Sequence, residues 1–164
     1  MRLRKLEPHE SSLLRELRLR ALQDAPDSFR DTYAGVAAQP PSYWEELTRS
    51  MTKPGSNAMF LACEGGEAVG SAFALVDGAR SRTGRVGGMW VAPEWRRQGI
   101  GEALLQEVIG WARERDFERL MLWCVANAAG AGALYRKAGF TETGIQQPLS
   151  DASPLRVVEM QLAL

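Results

Sequence analysis

Leucines at positions 13, 14, 17 and 22, with Ala21 beside them, recur at helical spacing between Ser11 and Gln23. Such a stripe predicts an amphipathic helix, and "DAP" at Asp24 to Pro26 ends it. The following "PDSFRDTYAGVAAQPP" is loop-like at both ends. A second helix is expected from Ser42, where Ser42 and Glu45 match a capping box and Tyr43, Trp44, Leu47 and Met51 form the apolar face. After "TKPGSN" the period changes. "AMFLAC" (58–63) and "AVGSAFALV" (68–76) read as two strands of a hairpin closed by "EGGE", and "RVGGMWVA" (85–92) as a third strand. Ile100, Leu104, Val108 and Trp111 return to helical spacing, predicting a helix from about Gly101 to Arg115. "RLMLWCV" (119–125) is apolar on both alternating sets, as a buried strand requires. A short helix to Lys137, a turn at "GF" and a last strand in "LRVVEMQLAL" complete the chain. This order predicts a mixed α/β sheet flanked by helices, in a single domain spanning residues 1–164.

Composition narrows the picture. A chain of 164 residues with 45% hydrophobic content and five tryptophans can build one genuine core. Lysine plus arginine equal aspartate plus glutamate at 20 each, so no global field favours nucleic acid or an anionic membrane. Any anion site must be local. The two cysteines, Cys63 and Cys124, lie inside apolar runs and read as buried reduced thiols, not as a disulfide framework. The N-terminus lacks an apolar signal core, and no run is long enough to span a bilayer, so a cytoplasmic protein is expected.

The stretch "VAPEWRRQGIGEALL" (91–105) concentrates glycine and arginine at the entrance to a helix. A P-loop would need a lysine and a hydroxyl after its glycines, and a dinucleotide fingerprint would need a glycine or alanine where Leu104 stands. Neither fits. A third reading is a pyrophosphate clamp, with N–H groups from Arg97 to Glu102 aimed at phosphate oxygens and Arg96 or Arg97 adding charge. The competing reading is a glycine-softened turn with solvated arginines.

The order strand, Val-x-Pro, Arg-x-x-Gly-x-Gly, helix, strand, Asn, helix, Leu-Tyr, Gly-Phe resembles the GNAT N-acetyltransferase superfamily. The matching residues are Val91, Pro93, Arg96, Gly99, Gly101, Asn127, Leu134, Tyr135, Gly139 and Phe140, and the resemblance is strong from about Val69 to Phe140. It implies the GNAT acyl-CoA N-acyltransferase fold, a mixed, mostly antiparallel sheet of about six to seven strands with about four helices. Two central strands would splay into a V-shaped cleft for acetyl-CoA, with no metal. The pantetheine would pair with backbone near Met89, Trp90 and Val91, and the diphosphate would sit on Arg96, Arg97, Gln98, Gly99, Ile100, Gly101 and Glu102. Tyr135 would protonate or hydrogen-bond the departing thiolate, and a backbone N–H near Val91 would stabilise the oxyanion.

Two departures qualify the resemblance. Asn127 precedes Tyr135 by eight residues where relatives have seven, so it either binds cofactor or only caps a helix. No carboxylate stands on the strand before the glycine turn or on the next one. Glu142, Asp151, Glu159 or a water chain are the candidate bases, and Cys124, without a nearby histidine, reads as inert. The segments "DAPDSFRDTY" and "GIQQPLSDASPL" should wall the acceptor side, where Asp24, Asp27, Asp31 and Asp151 could draw a cationic amine but read first as solvated loop carboxylates. The expected activity is transfer of an acetyl group to a primary amine of a small molecule or peptide, by a monomer or homodimer. An acyl-CoA sensor and a protein N-terminal acetyltransferase are the alternatives.

Overall fold

The computed structural model describes all 164 residues. Seven strands form one sheet in the order β1-β2-β3-β4-β5-β7-β6, from β1 (Arg2–Lys5), β2 (Ala58–Glu64), β3 (Glu67–Val76), β4 (Thr83–Val91), β5 (Arg119–Val125), β6 (Thr141–Pro148) and β7 (Arg156–Ala163). Every neighbouring pair is antiparallel except β4–β5. The helices are α1 (Ser11–Asp24), α2 (Tyr33–Ala37), α3 (Pro41–Thr52), α4 (Ile100–Glu114) and α5 (Ala129–Lys137), five where about four were expected. The added helix, α2, starts at Thr32, whose side chain accepts from the Gly35 N–H at 3.1 Å.

Several expected elements hold to within a residue or two. β5 has its predicted bounds, and β2 and β3 meet through Gly65 and Gly66, both at positive φ as a tight two-residue hairpin turn requires. The capping box does not form. α3 starts one residue earlier, at Pro41, with Pro40 as its cap and no side-chain cap bond; proline's fixed φ at the first turn replaces it. Two strands carry no apolar alternation to announce them. β1, "RLRK", and β6, "TETGIQQP", form the sheet edges, where exposure tolerates polar residues. The second of these occupies part of the expected tail loop.

The sheet separates two apolar layers. α4 and α5 cover one face, with Leu104, Leu105, Val108, Leu120, Leu122 and Phe140 at its centre. α1 and α3 cover the other over β1–β4, burying Leu14, Leu17, Trp44, Met59 and Leu61. Burying a side chain of this size stabilises by about 1.5–3 kcal/mol, so these layers dominate stability. No helix is long and apolar enough to cross a membrane.

β4 and β5 stay together only over Thr83–Arg85 and Arg119–Met121. A bulge in β4 lies just beyond the last pair. Ser71 pairs with Trp90 and Phe73 with Gly87, so Gly88 and Met89 together oppose the single residue Ala72. Gly88 stands at φ 55°, and a Cβ there would lie 2.8 Å from the Phe73 ring. A bulge bends its strand. This one carries β4 away from β5, and β5 continues paired to β7 as far as Val125. The V-shaped splay is therefore present between the two central strands.

Candidate active-site cleft

A cavity of about 150 Å³ occupies the splay. β4 lines it from Val86 to Met89, β5 with Trp123, Cys124 and Val125, and α5 with Ala128, Ala131 and Tyr135. Ser28 and Phe29, just after α1, close the opposite side, so the segment expected to wall the acceptor does border the cleft. A larger recess of about 490 Å³ lies elsewhere, between the ends of α3 and α4. It lies away from the β4–β5 splay, and Arg115 fills part of it by donating to the Gly55 and Ser56 carbonyls.

The β4 edge facing the splay is unpaired beyond Arg85. The Ala92 N–H donates to the Val69 carbonyl at 2.8 Å, which fixes the alternation of the β3–β4 ladder. Val91 thus directs its backbone groups into the cleft and Trp90 its own toward β3, while Met89 lies in the bulge, where the alternation is broken. Trp90 differs here from the expected cofactor contact. Its side chain is buried under α1, and its Nε1 donates to Asp24 Oδ2 at 2.9 Å.

The edge runs directly into the glycine–arginine turn. Gly99 caps α4 at φ 81°, a left-handed position, and a Cβ there would meet nothing within 4 Å. Arg97 is also left-handed, at φ 59°, and exposed. Ile100 anchors the turn in the core, while the first N–H groups of the helix have no intrahelical partner. Gly101 packs close to Leu134, whose Cδ2 would lie 3.4 Å from an added Cβ. Gln98 Nε2 donates to the Glu94 carbonyl at 3.4 Å, and Glu102 accepts from Lys137 Nζ at 2.8 Å, tying α4 to α5. Arg96 turns inward. Its Nε donates to the Val91 carbonyl at 2.9 Å and its terminal nitrogen to Asp24 Oδ2. The bare, open helix start fits a diphosphate, and the free strand edge fits an extended amide chain leading to it.

Tyr135 faces the cleft from α5. Its ring is buried against Phe140 at 6.0 Å between centroids, and its hydroxyl makes no hydrogen bond within the chain. Burial, reinforced by the neighbouring Cys124, holds its phenol well above the usual range and therefore protonated. Burial likewise pushes the Cys124 thiol up, which disfavours the thiolate a nucleophile would need. Both cysteines are free, Cys124 buried and Cys63 half-buried.

The remaining candidates do not line this cavity, although the recess that Asn127 borders shares Cys124, Val125 and Ala128 with it. Asn127 sits at φ 69° and is not a cap, because Ala128 caps α5 without a side-chain bond. It borders a recess of about 430 Å³ between α5 and β7, together with Arg136 and Glu142, which stand 3.9 Å apart. Asp151 is exposed in the β6–β7 turn. Glu159 is buried opposite Trp123 on β7, 3.3 Å from Arg80 and 3.6 Å from Arg85, with Thr143 Oγ1 donating to it at 3.2 Å. Two guanidinium groups and a threonine hydroxyl thus already engage its oxygens. Of the loop carboxylates, Asp31 pairs with Arg18 at 2.9 Å and Asp24 holds Arg96, while Asp27 is exposed. Asp24 was legible only as a loop charge, since nothing local marks its bond to residues 66 and 72 positions away.

Residues 19–140 match the sequence profile of the Acetyltransferase (GNAT) family. The aminoglycoside N(6')-acetyltransferase type 1 of Stenotrophomonas maltophilia is 32% identical over 148 residues, 86% of each chain. Among solved structures, a GNAT-family acetyltransferase from Streptococcus pneumoniae superposes with a TM-score of 0.83 at 22% identity, covering 99% of both chains. A phosphinothricin acetyltransferase from Sinorhizobium meliloti, solved in complex with acetyl-CoA, gives a TM-score of 0.81 at 20% identity, covering 99% of this chain and 88% of its own.

Proposed function

The chain belongs to the acetyltransferase (GNAT) family as an acetyl-CoA-dependent N-acetyltransferase, and from that premise we propose that it acetylates a primary amine of a small molecule or peptide directly within the β4–β5 cleft. One observation carries the reading. A strand edge left unpaired by β5 from Val86 to Val91 opens opposite Tyr135 and ends at a bare helix start, its only side-chain partner there being Arg96 on the Val91 carbonyl.

Each part of the reaction has a residue suited to it. Backbone groups of Met89 and Val91 would pair with the amides of the pantetheine arm as an added strand would. The N–H groups from Arg97 to Glu102 would hold the diphosphate at the positive end of α4, with Arg97 the exposed cation beside them. Arg96 braces this turn from behind. The Val91 N–H, directed into the cleft, would stabilise the oxyanion. The neutral Tyr135 phenol, with no partner of its own, would donate to the departing sulfur.

The acceptor class was left open by the sequence, and the relative acting on aminoglycosides makes a polycationic amine one arm of the test. The experiment is release of free thiol from acetyl-CoA over a panel of amines and peptides, beside a thermal-shift titration. Acetyl-CoA should raise the melting temperature with ATP and NAD near-silent, at a Kd of about one micromolar or below, equivalent to about −8 kcal/mol. No shift at millimolar acetyl-CoA would overturn the placement.

A further inference from the structure

The cleft contains no charged side chain. Its only ionisable groups are Cys124 and Tyr135, both held neutral by burial. β4 contributes only apolar residues to the wall, β5 an indole and two small side chains, α5 two alanines and the phenol, and the loop after α1 a serine and a phenyl ring.

The charges behind these walls make the cleft less hospitable to a cation. Arg18 on α1 lies 4.7 Å over the Phe29 ring, and Arg85 on β4 lies 5.7 Å over the Trp123 ring. Two aromatic surfaces that could attract an ammonium group thus already carry guanidinium groups. All but one of the carboxylates nearby are matched; Asp27, beside Ser28, is exposed to solvent without an ion pair. Asp31 pairs with Arg18, and Asp77 with Arg85 at 3.1 Å. Glu159 on β7 lies between Arg80 and Arg85, and Asp24 at the end of α1 accepts from Trp90 and Arg96. On α5, Arg136 and Lys137 pair with Glu142 and Glu102 outside the cleft. An ammonium group entering here would lose its water and gain no counter-charge, which favours the neutral amine.

We propose that the acceptor enters as the neutral amine, so that the enzyme selects weakly basic primary amines on an aromatic or apolar scaffold over alkylamines and polyamines. This rests on reading the splay as the place of transfer. A neutral amine needs no protein base to begin the reaction. Its lone pair forms the N–C bond to the thioester carbon, the C–S bond breaks, and one proton passes in net from nitrogen to sulfur. Selection then follows the acceptor's own acidity. An α-amine of about 7.7–8.0 and a lysine-like amine of about 10.4 differ by roughly 2.5 units, so at pH 7 the neutral fractions differ on the order of 10²-fold.

The test is kcat/KM from pH 6.5 to 9.5 for three acceptors with the wild-type enzyme: phenylalanine amide, phenethylamine and spermidine. The first two share a ring and differ in basicity. Phenylalanine amide should lead at pH 7 by on the order of 10²-fold and level off above about pH 8, its own range. Phenethylamine should rise by about tenfold per pH unit throughout most of the series, as its neutral fraction does. A break at one common pH for all acceptors would assign a protein base and overturn the proposal. So would a preference for phenethylamine or spermidine at pH 7. Thiol release with none of the three, nor with any other amine, would instead overturn the transfer reading beneath it.

Discussion

Asp24, the last residue of α1, and Arg96, in the turn before α4, are joined through one carboxylate oxygen that also accepts the Trp90 indole N–H. Arg96 in turn donates to the Val91 carbonyl, at the end of the open β4 edge. The end of α1, four residues before Ser28, is thereby tied to the proposed cofactor turn.

Asp24→Ala should cost about 1.5–3 kcal/mol of stability, the usual loss for hydrogen bonds to a charged group. It should also raise the KM for acetyl-CoA more than it lowers kcat, because the turn loses its brace while Tyr135 is untouched. Urea unfolding and steady-state kinetics would measure both. An unaltered KM would confine Asp24 to a structural role.

Gly99 and Gly88 should respond differently to alanine. At Gly99 the space is open, so Gly99→Ala carries only the left-handed backbone penalty, about 1–2 kcal/mol. At Gly88 the same penalty is joined by contact with the Phe73 ring, adding about 1–3 kcal/mol of overpacking. Gly99→Glu should abolish acetyl-CoA binding in a folded protein, which circular dichroism and calorimetry would establish. Retained affinity would place the diphosphate elsewhere.

Tyr135→Phe should lower kcat by about 10²–10⁴-fold with little change in acetyl-CoA affinity, since only the proton donor is removed. Stability should hardly move, because the hydroxyl makes no hydrogen bond within the chain. Single-turnover kinetics would separate chemistry from product release. An unchanged chemical rate would make Tyr135 a packing residue.

Cys124→Ala should keep turnover, since the thiol is buried and its ionisation is pushed above the ordinary range. Its reaction with a disulfide reagent should be slow at neutral pH and quicken only as the pH rises above the range of a free thiol. Loss of turnover in a folded Cys124→Ala protein would contradict this assignment.

Residues with strong local periodicity announced their elements before any pairing was known. Leu104, Val108 and Trp111 marked α4, and the doubly apolar "RLMLWCV" marked β5, because a helix face and a two-sided buried strand each impose their own spacing. Gly99 and Gly101 could be singled out because a bare helix start depends on short-range order, whereas Tyr135 was marked only by the resemblance of "LYRKAGF" to the family's pattern. β1 and β6 could not be read in this way, since an exposed edge strand is specified by its neighbour's hydrogen bonds and not by its own side chains. The bond of Arg96 to Asp24, the burial of Glu159 between two arginines and the backing of Phe29 and Trp123 by guanidinium groups arise between residues distant in sequence. Only the packing of α1 and the β3–β4 loop against the sheet brings those charges together, so only the tertiary structure decided which of them remained free for chemistry.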